Sequence, residues 1–462
     1  MIRKVLSLAA AAAICAATPA TAQEVSQDEL QERYDRALAA GYKALFLCSA
    51  IANAERNGAT RTPESVFEWE LSGIQAPLDK IVPTLHYEIV RGGRGAVDYV
   101  SVDWAQGSPP RIARYRGRTG CSILPIGAAA YSGTEEHYGY NARAAALWHP
   151  TPDAQLDPVL DASFSGVYGA GTRTTAALVE TDNGRRTASR FAPGYGITTP
   201  QRTWSVAKSI AATIVGAAVH RGDANVLQSA DLGETTGDPR RSITIDHALR
   251  MASGRYSNTA GSRTDALYYG GATVDEVALD WPMVHQAGTF FRYANNDTLA
   301  AVQAIEHTFF DHTPASVLRA MRMLHTAPET DWQGNYILSS QVWATAHDLA
   351  TLGQLYLNNG VTRDGTRILP ENWLEYVSTP SGPQPDGPLG YGASWWLVNK
   401  SQGIPTDTIA AIGNRGQYLI VVPSRDVVIV RRGEDPVGSR FDFIAFTRDV
   451  LAALATDDAP AP

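Results

Sequence analysis

A serine and a lysine three residues apart open an apolar helix near the middle of the chain, in the stretch TWSVAKSIAATIVGAAVH. The chain has only five lysines against thirty-four arginines, which makes Lys208 conspicuous beside Ser205. Residues three apart share one helix face, so the amine can reach the hydroxyl. A lysine near the positive end of a helix dipole and among apolar side chains has a lowered pKa. The pair predicts a nucleophilic serine with an amine base beside it, close to helix amides that can bind an oxyanion.

The alternative interpretation is a helix-capping serine followed by a solvated lysine. A capping serine usually has Glu or Gln three residues on, and Lys208 carries the opposite charge. Taken alone, the pair leaves the two interpretations evenly weighted. Substitutions separate them: Lys208→Arg should abolish turnover at little cost in stability if the lysine is a base, whereas Ser205→Ala should cost about 1 kcal/mol and spare activity if the serine is a cap.

This motif, placed after a predicted hairpin, resembles the serine β-lactamase and penicillin-binding protein superfamily. Its class C branch has a tyrosine-x-asparagine motif, and the chain offers such triplets at Tyr256, Tyr293 and Tyr356. The surroundings of Tyr293, AGTFFRYANNDTLAAV, resemble that branch. The resemblance implies that Tyr293 is catalytic with a pKa lowered by the lysine, that Asn295 orients the lysine or the substrate, and that Tyr256 lines the cleft or is structural.

A third motif is expected in AAIGNRGQYLIVV, where Gly416 matches the family's glycine. Asn414 and Arg415 stand where β-lactam enzymes carry a cation and a hydroxyl, which argues against efficient β-lactam hydrolysis. Gly416 and Gln417 resemble the pair found in esterases and in 6-aminohexanoate-dimer hydrolases of the superfamily. The resemblance implies that residues 414–417 support the substrate and that the backbone amides of Ser205 and Gln417 form the oxyanion hole.

These motifs predict a serine hydrolase that cleaves a small-molecule ester or amide through an acyl-enzyme on Ser205, without metal or cofactor. A D-alanyl-D-alanine peptidase or β-lactamase is one alternative, and a non-catalytic ligand-binding protein of the same fold is another. The formal net charge of −8 argues against nucleic-acid binding. The chain contains no C-x-x-C, H-E-x-x-H, G-x-x-x-x-G-K-[ST] or G-x-S-x-G motif, which argues against other common hydrolase and nucleotide-binding classes.

The first residues combine a basic start, a short apolar run and small residues around Ala22. This pattern predicts a signal peptide over 1–22 and a secreted or periplasmic protein without a membrane anchor. A lipoprotein anchored at Cys15 is a weaker alternative. The remaining cysteines, Cys48 and Cys121, are expected to form a disulfide in an oxidising compartment, with two buried free thiols as the alternative.

The order of patterns predicts an α/β (α+β) fold of β-lactamase type, an antiparallel sheet flanked by helices. An N-terminal extension is expected over 23–160, beginning with a helix at 28–56. The hydrolase domain follows over 161–455, with a mainly helical insertion at about 225–385 between its strands. Residues 456–462 are expected to be a disordered tail.

Overall fold

A computed structural model describes residues 25–129, 151–257, 264–400 and 402–455. The predicted signal peptide with Cys15 and the C-terminal tail lie outside the described residues.

The N-terminal extension is built on one long helix that packs against a four-stranded antiparallel sheet. Helix α1 (Gln27–Arg56) coincides with the predicted helix and starts at a reciprocal capping box between Ser26 and Glu29. The other elements here are α2 (Pro63–Glu68), α3 (Leu78–Ile81), β1 (Tyr87–Arg91), β2 (Val97–Val102), β3 (Arg111–Tyr115) and β4 (Cys121–Ile123). The sheet order is β1-β2-β3-β4.

A disulfide joins Cys48 in α1 to Cys121 in β4, so the predicted bridge is present. Both half-cystines are buried. Among the described helices, α1 is the one long and apolar enough to cross a membrane, and its apolar window is completely buried inside the fold. We therefore interpret α1 as a core helix, which the disulfide ties to its own sheet.

The hydrolase part is organised around an eight-stranded sheet of order β11-β12-β13-β14-β15-β6-β7-β5. Neighbouring strands are antiparallel except β5 and β7. The strands are β5 (Thr151–Pro152), β6 (Thr174–Thr181), β7 (Arg186–Phe191), β11 (Gly390–Tyr391), β12 (Trp396–Leu397), β13 (Ile409–Gly413), β14 (Gln417–Val422) and β15 (Val427–Gly433). Strands β14 and β15 are buried along their whole length, because helices cover both faces of the sheet.

Helices and short strands lie between β7 and β11, a stretch that includes the insertion predicted at about 225–385; α4 precedes β6, and α12 is the last described helix. The helices are α4 (Asp157–Ala162), α5 (Val206–Arg221), α6 (Ile245–Leu249), α7 (Asp265–Tyr268), α8 (Asn295–Gln303), α9 (Pro314–Ala320), α10 (Ala346–Leu357), α11 (Trp373–Ser378) and α12 (Phe443–Ala455). A small sheet of order β8-β10-β9 joins Gln201–Arg202 (β8), Ala327–Pro328 (β9) and Val342–Ala344 (β10). Apart from α5 and α10, the α-helices described between β7 and β11 have nine residues or fewer, and loops join them.

The extension shares a hydrophobic core with the residues that flank the start of α5. Side chains of α1, including Tyr42 and Phe46, belong to one cluster with Trp204, Tyr268 and Trp343 of the hydrolase part. The Phe46 ring lies 6.0 Å from both tryptophan rings. The extension and the hydrolase part are therefore packed as one unit beside the serine.

Candidate active site

Ser205 is the residue that precedes α5, and its hydroxyl does not cap the helix. Trp204 before it has a positive φ of 49°, a strained conformation for a bulky residue. The Arg202 guanidinium lies 4.0 Å from the Trp204 ring and holds this turn. The capping interpretation of Ser205 is therefore wrong, because the hydroxyl faces other groups.

Lys208 is buried, with 1% of its surface exposed. Its Nζ lies 3.2 Å from Ser205 Oγ, 2.6 Å from Asn295 Oδ1 and 3.0 Å from the Ser339 carbonyl oxygen. Burial lowers the pKa of Lys208 to about 7. The solvated-lysine interpretation is therefore wrong too, and the lowered pKa lets the uncharged amine, which can accept a proton, form near neutral pH.

Tyr293 completes a cluster with Ser205 and Lys208. Its phenol interacts with Ser205, and the Lys208 Nζ lies 5.0 Å from the centre of its ring. Burial raises the pKa of Tyr293 to about 12, and the interaction with Ser205 offsets this only in part. The expectation of a lowered tyrosine pKa is therefore wrong, because burial disfavours the charged phenolate.

Asn295 is the first residue of α8, where the chain enters the helix after Tyr293. Its Oδ1 accepts from Lys208 Nζ, and its Nδ2 donates to Thr264 Oγ1 at 3.2 Å. Of the two roles expected for Asn295, the structure shows contact with the lysine.

Tyr256 is 41% exposed and packs against Trp281, with their ring centres 5.7 Å apart. Its backbone carbonyl accepts from Asn296 Nδ2 at 3.3 Å. Tyr356, the third candidate tyrosine, is buried and bonds Thr213 through its hydroxyl. The structure thus brings Tyr293, and neither of the other two, into contact with Ser205.

The Arg415 side chain does not serve the cleft as expected. Its Nε donates to Glu434 at 2.6 Å, and its Nη2 donates to the carbonyls of Trp69 and Ser72 at 2.9 and 2.8 Å. A buried guanidinium needs a carboxylate, and Glu434 draws it away from Ser205. Asn414 just before it is exposed.

Gly416 and Gln417 are also used to build the turn. Gly416 has a φ of 78°, and a Cβ there would lie 1.8 Å from the Arg431 guanidinium. The Gln417 side chain accepts from Arg432 Nε at 2.6 Å and is fully buried. Gly416 and the Gln417 side chain therefore support the geometry of the turn and strand.

Gly413, at the end of β13, lies against the nucleophile's backbone and was not singled out from the sequence. A Cβ at this position would lie 3.2 Å from the Ser205 nitrogen and 2.4 Å from the Thr203 carbonyl oxygen. Gln417 is the partner of Gly413 across the turn. The structure thus places Gly413 beside the Ser205 amide.

Aromatic rings form a wall beside Tyr293. Its ring stacks on Trp396 at 5.5 Å and meets Tyr391 edge-on at 6.1 Å. Tyr391 also contacts Phe291 at 5.3 Å. The spacing of these residues in the sequence carries no signal of this wall, because it joins two distant segments.

In the part of the chain that the structure describes, no three His, Cys, Asp or Glu side chains form a group that could hold a metal ion.

A sequence model of the β-lactamase family matches residues 160–431, which is more than half of the chain. The chain belongs to the β-lactamase family. The predicted relationship to serine β-lactamases and penicillin-binding proteins is thereby confirmed, as is the β-lactamase-like fold.

Solved structures show the same fold at low sequence identity. A Bacillus anthracis protein provisionally named a 6-aminohexanoate-dimer hydrolase has a TM-score of 0.53 and 21% identity, covering 66% of this chain and 83% of that one. A protein from Bacteroides dorei provisionally named a β-lactamase has a TM-score of 0.50 and 19% identity, covering 66% and 98%. An octameric penicillin-binding protein homologue from Pyrococcus abyssi has a TM-score of 0.50 and 17% identity, covering 66% and 78%. None of the curated protein sequences compared matches this chain.

Proposed function

We propose that this protein is an exported serine hydrolase that cleaves an ester or small amide bond through an acyl-enzyme on Ser205. The observation that carries the proposal is the buried Lys208 amine, 3.2 Å from Ser205 Oγ, with a pKa that burial lowers to about 7. Membership of a family of serine hydrolases supports the reaction class. A nucleophile with an adjacent neutral base is what acyl transfer requires.

Acylation begins when Ser205 Oγ bonds to the substrate carbonyl carbon and its proton passes to Lys208 Nζ. The tetrahedral intermediate then expels the leaving group. Tyr293, protonated at neutral pH, donates its proton to the departing oxygen or nitrogen and takes the lysine's proton in return. A water molecule attacks the acyl-enzyme by the reverse path and releases the acid.

The oxyanion of the tetrahedral intermediate needs two hydrogen-bond donors on one side of Ser205. The Ser205 amide at the start of α5 is one, and we assign the Asn414 amide as the other. Asn414 directly follows Gly413, and an added Cβ at Gly413 would lie 3.2 Å from the Ser205 nitrogen, so the Asn414 amide is one residue along the chain from this contact. Loss of one such donor typically lowers kcat by about 10²- to 10³-fold.

The third motif favours substrates without a carboxylate next to the reacting bond. The one cation in that motif, Arg415, is bonded to Glu434 and to two backbone carbonyls. β-Lactams and D-alanyl-D-alanine peptides carry a carboxylate, which would find no partner in this arginine. The partly exposed Trp396 ring, stacked on Tyr293, fits a flat apolar group. A neutral ester or amide therefore ranks above the peptidase or β-lactamase alternative.

Export is supported by the Cys48–Cys121 disulfide, since such bonds persist in oxidising compartments. The leader pattern of residues 1–22 supports the same conclusion. Determining the N-terminus of the mature protein by mass spectrometry tests it: a start near residue 23 is expected, and an intact Met1 in the extracytoplasmic fraction contradicts a cleaved signal peptide.

The test of function compares a short-chain nitrophenyl ester with a chromogenic cephalosporin, and adds labelling by a fluorophosphonate. We expect ester turnover, a single adduct on Ser205 by peptide mass spectrometry, and little cephalosporin hydrolysis. Ser205→Ala should abolish turnover and labelling while the melting temperature stays near wild type, because the hydroxyl does not cap α5. Wild-type protein that is folded yet takes no label at Ser205 would support the non-catalytic alternative and end the proposal.

A further inference from the structure

Besides the serine hydroxyl, the Lys208 amine has two hydrogen-bond acceptors. Other residues hold each of these acceptors in position. Asn295 Oδ1 lies at 2.6 Å from Nζ and the Ser339 carbonyl oxygen at 3.0 Å. A neutral amine has two N–H bonds and one lone pair. With both N–H groups directed at these acceptors, the lone pair faces Ser205 Oγ at 3.2 Å. The position of the two acceptors therefore decides whether Lys208 can take the serine's proton.

Both acceptors are held by the short segment 264–268 that contains α7. Thr264 Oγ1 accepts from Asn295 Nδ2 at 3.2 Å, which directs the other amide atom, Oδ1, at the lysine. Thr264 stands at the N-cap position of α7, yet its side chain makes no capping bond to that helix. Four residues later, the Tyr268 hydroxyl hydrogen-bonds Ser339 Oγ at 2.8 Å. The two ends of one helical turn thus bracket the lysine.

The N-terminal extension fixes this turn in place. The buried Arg111 of β3 donates to the carbonyls of Gly270 at 3.0 Å and of Ala37 in α1 at 3.1 Å. At Gly41 of α1 an added Cβ would lie 1.9 Å from the Tyr269 carbonyl oxygen, so the helix backbone is in close contact with the end of α7. Gln75 donates to the Tyr269 hydroxyl at 3.1 Å. The contacts come from three separate parts of the extension.

We infer that α7 is a positioning element of the active site: through Thr264 and Tyr268 it holds the two acceptors that orient Lys208, and the N-terminal extension holds α7. The extension then acts on catalysis without touching the substrate. This inference rests on the proposed role of Lys208 as the base.

Several titratable groups surround the lysine, and the protonation state of most of them does not change near neutral pH. Tyr293 lies before α8 and Tyr268 in α7, and burial raises the pKa of both phenols. Arg202 of β8 donates to Ser340 Oγ at 2.9 Å, and burial lowers its pKa. Two phenols and a guanidinium do not titrate near pH 7, where Lys208 does.

Two carboxyl groups interact with Arg202 from further away. Burial raises the pKa of Asp265 in α7, and it raises the pKa of Glu329 to about 7. The Glu329 carboxylate accepts from Ser49 of the extension at 2.6 Å and from Trp343 of β10 at 3.1 Å. Because Glu329 titrates in the same range as Lys208, Glu329→Gln serves as a control for the pH profile.

The experiment measures fluorophosphonate labelling rates and ester kcat and KM against pH for Thr264→Val and Tyr268→Phe. Each change removes one hydroxyl and keeps the side chain's shape. We expect kcat and the labelling rate to fall about tenfold with KM unchanged, as for the loss of one buried hydrogen bond. The midpoint of the acid limb should move to lower pH by about half a unit or more, because the ammonium loses ordered acceptors. Thr264→Ser, which keeps the hydroxyl, should behave as wild type.

Matched controls make the same chemical change without touching the acceptors. The controls are Thr298→Val, at a residue of α8, and Tyr42→Phe, at a residue of the shared core. In the described part of the chain, the hydroxyls of Thr298 and Tyr42 lack a hydrogen-bond partner. Both controls should keep the wild-type rate and pH profile. If folded Thr264→Val and Tyr268→Phe have the wild-type kcat, labelling rate and pH profile, the inference is overturned. An equal loss of kcat in the two control variants overturns it as well. A wild-type protein without turnover or adduct instead overturns the proposed function, so the two failures are distinguishable.

Discussion

At the scale of single residues, the candidate chemistry depends on one buried amine. Among the described residues, the close partners of Lys208 Nζ are a hydroxyl, an amide oxygen and a backbone carbonyl, with no carboxylate. Loss of hydration is therefore the main influence on the charge of Lys208, and it lowers the pKa of this amine from 10.5 to about 7. Burial at 1% exposure also changes the expected effect of Lys208→Arg: the larger guanidinium would overpack the site, so a loss of activity would be accompanied by a loss of stability.

The pH dependence of ester turnover follows from the lysine. We expect kcat/KM to fall about tenfold per pH unit below pH 7, as Lys208 becomes protonated, and to level off above pH 8. A pH profile from 5 to 9 with a neutral ester measures this. An acid limb centred near pH 4 would instead assign the base to a carboxylate.

Removing the lysine should stabilise the fold at the expense of activity. Its folded pKa lies below its ordinary value, so between about pH 7 and 10 the unfolded chain binds more protons and stability rises with pH. Lys208→Met should abolish turnover and raise the free energy of unfolding at pH 6 by on the order of 1 to 3 kcal/mol, with a smaller gain at pH 9. Thermal unfolding at both pH values tests this. Ser205→Ala, equally inactive, should show no such pH-dependent gain.

At the scale of elements, the site depends on the close approach of β13 to the start of α5. Helix α5 is buried from Val206 to Ala218, so its position is set by packing on all sides. Strand β13 ends at Gly413, where the absence of a side chain lets the strand meet the backbone of Thr203 and Ser205. The oxyanion donors that we propose lie across this contact.

Gly413→Ala should separate the strand from the nucleophile. The new Cβ would be 2.4 Å from the Thr203 carbonyl oxygen, which forces the backbone to shift. We expect kcat to fall by about 10²-fold and the free energy of unfolding by about 1 to 3 kcal/mol. Ester kinetics and chemical unfolding measure both. Gly237→Ala, where a Cβ meets open space, is the control; equal kcat values in the two variants would exclude the contact from catalysis.

At the scale of the whole molecule, the N-terminal extension and the hydrolase part are joined by covalent and apolar contacts around the serine. The disulfide closes a loop of 73 residues between α1 and β4. The same helix contributes side chains to the core that contains Trp204 and Tyr268. We therefore expect the extension to unfold together with the catalytic part.

Removing both cysteines should lower the free energy of unfolding by about 4 kcal/mol, the value expected for a loop of this length. Urea unfolding of the Cys48→Ala, Cys121→Ala double variant measures the loss, followed in parallel by tryptophan fluorescence and by ester turnover. The two probes should give one shared transition. Two reactive thiols in unreduced, denatured wild-type protein would contradict the disulfide itself.

Local patterns in the sequence determined the helix that follows Ser205, the long α1, the hairpin strands and the family. Capping residues, turn residues and apolar periodicity act over a few positions, and the structure agrees with them. The placement of Lys208 on the serine's face follows from the same local geometry, because the two residues are one helical turn apart.

Long-range packing decided the features that sequence reasoning predicted wrongly or missed. The direction of Arg415 depends on Glu434, nineteen positions away, and on carbonyls of the extension more than three hundred positions away. The raised pKa of Tyr293 depends on burial by neighbours from other segments. Gly413, Thr264 and Tyr268 gain their positions at the site only when distant segments meet. Desolvation and charge pairing depend on what surrounds a group in space, and spacing along the chain does not specify those surroundings.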